Sequence, residues 1–340
     1  MMKRILLLGY IATMIACTPT KQSTIETTLQ TKVDSILQNK MSEIGAISGQ
    51  AIVMEVQTGE IKAMVGNANS QESGLIRTAS LLAALETGKV KLSDTVDVGE
   101  GVYEVHNREL LDHNWHRGGY GKLTTLQGLM VNSHIANYKK IERAFEEEQA
   151  YFDMLNKMSY GQPENIEGLD SLKPVHFVTP NDSNWNNTSL AWFSIGYNQR
   201  ISPIQTLTFY NAIANNGKMV KPTFYKGETE IINPQIASKA NIDSLQMALV
   251  KVVTEGLGKP AQSEKVQVAG VSGGGQLSPE EDNSEGRVNT IYSVEYCGYF
   301  PADKPKYSII VSMNKIGLPA SGGLMAGSVF KEIVDCMVAK

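Results

Sequence analysis

The chain has 340 residues, room for two domains or one large one, and its 42% hydrophobic and 19% charged content is ordinary for a globular protein. A formal net charge of −4, with no basic run, excludes a nucleic-acid binder that works through electrostatics. No long acidic or basic tail and no short-period repeat is present.

In chain order, residues 1–17, MMKRILLLGYIATMIAC, place Lys3 and Arg4 ahead of an apolar stretch too brief to span a bilayer, with Cys17 directly after Ile15-Ala16. This resembles a bacterial lipoprotein signal, in which cleavage leaves the cysteine as the first residue, carrying lipid. The alternative is an ordinary secretory signal with a chance cysteine. A lipidated Cys17 implies the periplasmic side of a cell envelope and a membrane anchor. Residues 18–45, rich in Thr and Gln, read as a polar tether, and residues 46–340 as the folded domain.

From Ser48 the pattern is orderly. GQAIVMEVQTGEIKAMVG reads as a hairpin turning at Gln57-Thr58-Gly59. ESGLIRTASLLAALETGKV reads as a helix from Glu72 to Leu85 with Gly88 near its exit, although the charged Arg77 is out of place one turn before an apolar run. Residues 95–121 read as loop and short strands. A helix is expected over Leu123–Phe145, with apolar spacing at Leu126, Leu129, Met130, Ile135 and Ile141, and another over Glu146–Met158. Residues 159–188, with Pro163, Pro174 and Pro180, form an irregular segment of the kind that lines sites. Ser202–Lys218 is a marked helix, with Ser202 as N-cap and Pro203 in its first turn. Ile242–Leu257 is a further helix, VQVAGVSGG a strand entering a Gly-rich turn, Ile291–Phe300 and Tyr307–Lys315 strands, and Gly327–Val338 the closing helix. The whole is α+β, an antiparallel sheet packed with helices.

Four of these segments, in this order, resemble the transpeptidase domain of class B penicillin-binding proteins: GQAIVMEVQTGEIKAMV, LAWFSIGYNQRISPIQTLTFYNAIANNGKMVKP, VEYCGYFPADKPKYSIIVSMNK and GSVFKEIV. The resemblance spans roughly residues 46–340. It implies a penicillin-binding/β-lactamase-like transpeptidase fold with an all-helical subdomain, and acyl transfer from D-alanyl-D-alanine peptides. That chemistry needs a Ser-x-x-Lys nucleophile and base, a Ser-x-Asn and a Lys-Thr-Gly.

Every one of the three is degenerate here. Aligned on ASLLAALE, Gly74 stands for the serine and Arg77 for the lysine; a register counted from Glu72 gives Leu75 and Thr78. Gly74 has nothing to acylate, and an arginine does not give up its proton to act as a base. Asn132-Ser133-His134 replaces Ser-x-Asn, and Val271-Ser272-Gly273 replaces Lys-Thr-Gly. Losing the nucleophile of such a set costs on the order of 10⁴–10⁶ in turnover. The resemblance therefore implies a pseudoenzyme, with Arg77, His134, Ser272 and Gly273 left as candidate substrate-binding residues and no cofactor. Its expected partners are a peptidoglycan stem peptide or a cell-wall synthase or divisome protein. Family members carry an N-terminal non-catalytic domain and a membrane helix, which the tether is expected to replace. The alternatives are an active D,D-transpeptidase or carboxypeptidase with a displaced nucleophile, Ser73 or Ser133 with His134, and an envelope protein using the fold for an unrelated ligand.

Gly327-Ser328-Val329-Phe330-Lys331 fits a nucleophile pattern but lies in the closing helix, and Ser312 and Lys315 face opposite sides of a strand. His106, His113, His116 and Asp112 crowd one loop without a helical i, i+4 pair, so no metal site is expected. Cys297 and Cys336 lie in apolar contexts and read as buried free thiols, and Trp192 and Tyr197 as core.

Overall fold

The structure, a computed structural model, describes residues 21–67, 71–277 and 290–338; the segment expected to be a lipoprotein signal, with Cys17, lies outside the described residues. Its centre is a five-stranded antiparallel sheet in the order β11 (Ala269–Gln276), β12 (Ile291–Phe300), β13 (Tyr307–Ile316), β1 (Ala46–Glu55), β2 (Ile61–Asn67). Strands β1 (Ala46–Glu55) and β2 (Ile61–Asn67) form the expected hairpin. β1 is apolar almost throughout because both faces of the sheet are covered: Ala51 and Val53 point into one core and Ile52 and Met54 into the other.

The first of these cores is closed by two terminal helices. α1 (Thr27–Ile44) lies on the sheet through Leu29, Val33 and Leu37, one buried residue per turn. This corrects the tether reading of residues 18–45: three aliphatic side chains at i, i+4 spacing outweigh a polar composition once a sheet face is there to receive them. α1 ends at Gly45, whose φ of 63° lets its N–H reach Met41 O. The closing helix, numbered below as α9, adds Val329, Phe330, Ile333 and Val334 to the same core.

The second core is built around α2 (Ile76–Glu86), buried on all sides except at Glu86. Short strands β3 (Thr95–Gly99), β4 (Val102–Val105), β5 (Arg108–Leu111) and β6 (Gly121–Thr124) follow, paired β3 with β6 and β4 with β5. The helix expected over Leu123–Phe145 is broken into α3 (Thr125–Met130) and α4 (His134–Ala144). Asn132 takes a φ of 60°, which asparagine tolerates, and Ser133 caps α4 by accepting from Ala136 N at 3.0 Å. Apolar spacing runs unbroken across the interruption, so periodicity alone hides it. α5 (Glu148–Lys157) follows, then the irregular stretch, which holds only the two-residue β7 (His176–Phe177).

α6 (Ser189–Ile195) and β8 (Gln199–Arg200) lead into α7 (Pro203–Ala214), opened by a capping box between Ser202 and Gln205. β9 (Met219–Val220), β10 (Ile231–Asn233) and α8 (Lys239–Thr254) return the chain to β11 (Ala269–Gln276), β12 (Ile291–Phe300) and β13 (Tyr307–Ile316). α9 (Gly322–Val338) begins a turn earlier than expected. Cys297 is buried and Cys336 only half-buried, and both are free thiols. Among the described residues no helix is long and apolar enough to cross a membrane.

Candidate functional site

Three segments converge where the sequence placed the degenerate motifs: the entry to α2, the break between α3 and α4, and β11. Asn132 Nδ2 reaches Ser272 O at 3.5 Å, joining the second to the third. A Cβ placed on Gly74 would lie 2.8 Å from Gly274 O, 3.1 Å from Gly274 N and 3.0 Å from Arg77 Nη2, joining the first to the third. Gly74 thus faces Gly274 of β11, one residue from where Leu75 meets the same strand. Thr78 instead meets Tyr210 OH at 2.7 Å, and Leu75 is packed against Gly273.

The seam between these segments is shut. The cavity bordered by Ser73, Gly74, His134, Gly196 and Gly274 measures about 10 Å³, the limit of what one water needs. Gly196 shows how closely the walls meet: with φ 118°, a Cβ there would stand 2.5 Å from Ser73 O.

Neither candidate displaced nucleophile is paired with an amine or imidazole; each is held by a buried carboxylate. Ser73 Oγ donates to Glu295 Oε2 at 2.6 Å, and Ser133 Oγ to Asp112 Oδ2 at 2.7 Å. His134 turns its Nδ1 to Leu111 O at 3.0 Å. Burial, then the charge of Arg77, pushes the imidazole down to about 3, so at neutral pH the ring is uncharged. Glu295 was not anticipated from sequence. It is fully buried on β12, also receives hydrogen bonds from Gln71 and Ser312, and burial holds its pKa above the usual carboxylate range. The available signal was one ionisable residue inside an otherwise apolar strand, EYCGYF.

Arg77 is only 4% exposed, and its Nε and Nη1 lack hydrogen-bond partners among the described residues. Burial lowers it to about 10, partly offset by Tyr210, Tyr197 and Glu295, which leaves it a cation at neutral pH. Val271 and Ser272 are buried in β11 beside it, as is Gly273. The other sequence candidates disperse. Asp112 is committed to Ser133 and Ile135, and His113 pairs with Tyr120 OH at 2.8 Å. Among the described residues no group of three or more metal-ligating side chains forms. Ser328 donates to Met325 O and Lys331 to Asp335, so that pair does not act together.

Beyond the seam lies an open groove of about 420 Å³, lined by Glu72, Arg108, Asn184, Asn186, Asn198 and Trp192 among others. Arg108 sits 4.2 Å over the Trp192 ring, so this tryptophan, half-buried, lines a groove wall as well as packing the core. Tyr197 and Gln276 border both cavities.

Comparison with known proteins agrees with this architecture. Residues 49–335 match the family described as "Penicillin binding protein transpeptidase domain". Among curated proteins, the chain is 24% identical to the probable peptidoglycan D,D-transpeptidase PbpC of Pseudomonas aeruginosa, over 91% of this chain and 57% of that one. It is 23% identical to the penicillin-binding protein PbpB of Mycolicibacterium smegmatis, over 94% of this chain and 54% of that one. The chain thus spans a little over half the length of these relatives. Among solved structures, the apo transpeptidase domain of Burkholderia pseudomallei penicillin-binding protein 3 superposes with a TM-score of 0.79 at 22% identity, covering 93% of this chain and 95% of that one. Sequence family, fold and the convergence of the three motif positions together make this chain a member of the class B penicillin-binding protein transpeptidase-domain family.

Proposed function

We propose that this protein is a non-catalytic penicillin-binding-protein relative in cell-wall biogenesis, exported and held at the periplasmic face of a membrane by lipid on Cys17, acting as a scaffold or regulator of a true synthase. The observation that carries the reading is the seam at Gly74. The position facing β11 has no hydroxyl, and both nearby serine hydroxyls are bound to buried carboxylates rather than to an amine or imidazole. An acyl-enzyme needs a nucleophile, a base and space for the carbonyl; Gly74 offers no nucleophile, Arg77 no base, and the cavity beside them measures only about 10 Å³.

The test is exposure of the purified chain to a fluorescent penicillin, read by gel and intact mass. The expected result is no adduct. A stoichiometric acyl adduct on Ser73 or Ser133 overturns the reading in favour of an active D,D-transpeptidase or carboxypeptidase. Crosslinking from the native envelope, followed by identification of the captured protein, tests the regulatory role.

A second reading, retention of a stem peptide without chemistry, is favoured by the open groove. Its asparagine amides and the Arg108–Trp192 pair suit an extended polar chain bearing carboxylates. Arg77, His134, Ser272 and Gly273 would contact that ligand only if the seam parts. Binding of a D-alanyl-D-alanine peptide weakened by Trp192→Ala but not by Arg77→Met locates it in the groove; the reverse locates it in the seam.

A further inference from the structure

Away from the seam, a cavity of about 210 Å³ opens between β3 and α4, lined by Val90, Thr95, Val96, Asp97, Thr125, Lys139, Lys140 and Arg143. Three cations face one carboxylate. Most of these polar groups already have partners. Lys139 Nζ donates to Asp97 O at 2.7 Å and lies 4.2 Å over the Tyr103 ring. Arg143 Nη1 stands 3.2 Å from Asp94 Oδ2, and Asp97 Oδ1 accepts from Gly99 N at 2.9 Å.

Lys140 is the exception. It is 4% exposed and lines the cavity, and among the described residues its Nζ makes no hydrogen bond or ion pair. The nitrogen itself is not fully enclosed, so its three donors open onto the cavity instead of a protein acceptor. Nothing in the fold of α4 demands a lysine there, since its neighbours Ile141 and Ala144 pack the core with ordinary apolar side chains.

We propose that this cavity is a binding site for a small oxyanion, the phosphate or carboxylate group of a ligand, with Lys140 as its principal donor and Lys139 and Arg143 at the rim. An oxyanion supplies the acceptors that Lys140 lacks and matches the excess of positive charge around it. Thr95 and Thr125 bring hydroxyls to the same walls, and the volume has room for a phosphate or carboxylate group together with part of the ligand that carries it. Burial, then the charge of Arg77, lowers the amine to about 7, so at neutral pH its protonated and neutral forms are balanced and an anion would favour the protonated one.

The experiment is calorimetric titration of the purified chain with sodium phosphate and sodium acetate, against sodium chloride at matched ionic strength. The expected result is saturable binding of phosphate or acetate but not of chloride, weakened at least tenfold in Lys140→Met and unchanged in Lys239→Met, a surface lysine elsewhere. Tighter phosphate than acetate assigns a phosphorylated ligand, and the opposite order a carboxylate-bearing one. Should Lys140→Met fail to fold, amine-reactive labelling of the wild-type chain, read by peptide mass, replaces it: the bound anion protects Lys140 at least fivefold. Absence of saturable binding, equal affinity in Lys140→Met, or a Lys140 that labels equally with and without anion overturns the proposal.

Discussion

Restoring the hydroxyl at position 74 is expected to harm the fold without restoring the chemistry. In Gly74→Ser the new Cβ would lie 2.8 Å from Gly274 O and 3.1 Å from Gly274 N, both main-chain atoms of a central-sheet strand. Contacts that short must be relieved by moving α2 or β11. Overpacking of this kind costs about 1–3 kcal/mol. At about 2–4 °C per kcal/mol for a large domain, Tm should fall by several degrees. Gly74→Ala carries the same Cβ and should fall equally, separating the steric effect from the hydroxyl. Adding Arg77→Lys to Gly74→Ser removes the third contact, at 3.0 Å, but leaves the two with Gly274. Differential scanning fluorimetry reads the stability and fluorescent-penicillin labelling reads the acylation. If Gly74→Ser melts with the wild type, the seam is not closed as described. If the double variant labels stoichiometrically, the loss of function lies in two side chains rather than in the geometry around them.

Arg77→Met should leave stability unchanged or raise it by about 1 kcal/mol or more, because an apolar side chain of similar length replaces a buried cation with unpartnered nitrogens. A loss above about 1 kcal/mol in urea unfolding would mean that the guanidinium is engaged. His134, pushed down to about 3, is uncharged in the folded chain while its unfolded counterpart titrates near 6.5. Between those values the unfolded state binds the extra proton, so stability falls on acidification by up to about 1.4 kcal/mol per pH unit. His134→Gln should flatten that part of the urea-midpoint profile, and an unchanged slope would assign it elsewhere. Leu37→Ala should cost about 2–5 kcal/mol, since Leu37 is fully buried between α1 and the sheet. A neutral result would mean that α1 is not part of the cooperative unit.

What the sequence revealed and what it concealed divide along physical lines. The strands were legible because alternation with both faces covered leaves long apolar runs, and α7 because Ser202, Pro203 and Gln205 form a cap on their own. The break before α4 was not, because a left-handed asparagine and a serine cap interrupt the backbone without disturbing the spacing of Leu129, Ile135 and Ile141. Nor was α1, whose three buried side chains matter only when a partner face exists. At the site, the absence of a hydroxyl and an amine was plain from Gly74 and Arg77. The partners that replaced them were not, because Ser73 and Glu295 are separated by 222 positions and meet only across the sheet. Asp112 was noticed for the wrong reason, as one of a histidine-rich loop, when its role is to hold Ser133 and the start of α4.

These pairings bear on how firmly the seam is held shut. A catalytic entrance is a liability for stability, since it keeps polar groups poised but unpaired. Here Glu295 receives Ser73, Gln71 and Ser312, while Asn314 donates to Gln71 Oε1 at 2.8 Å, so that side chains from three separate strands and loops close into one buried network directly beneath Gly74. Each added hydrogen bond offsets part of the cost of burying the carboxylate, and together they tie residues 71–75 to β12 and β13. A network fixed in this way opposes the opening that a substrate would need at the seam.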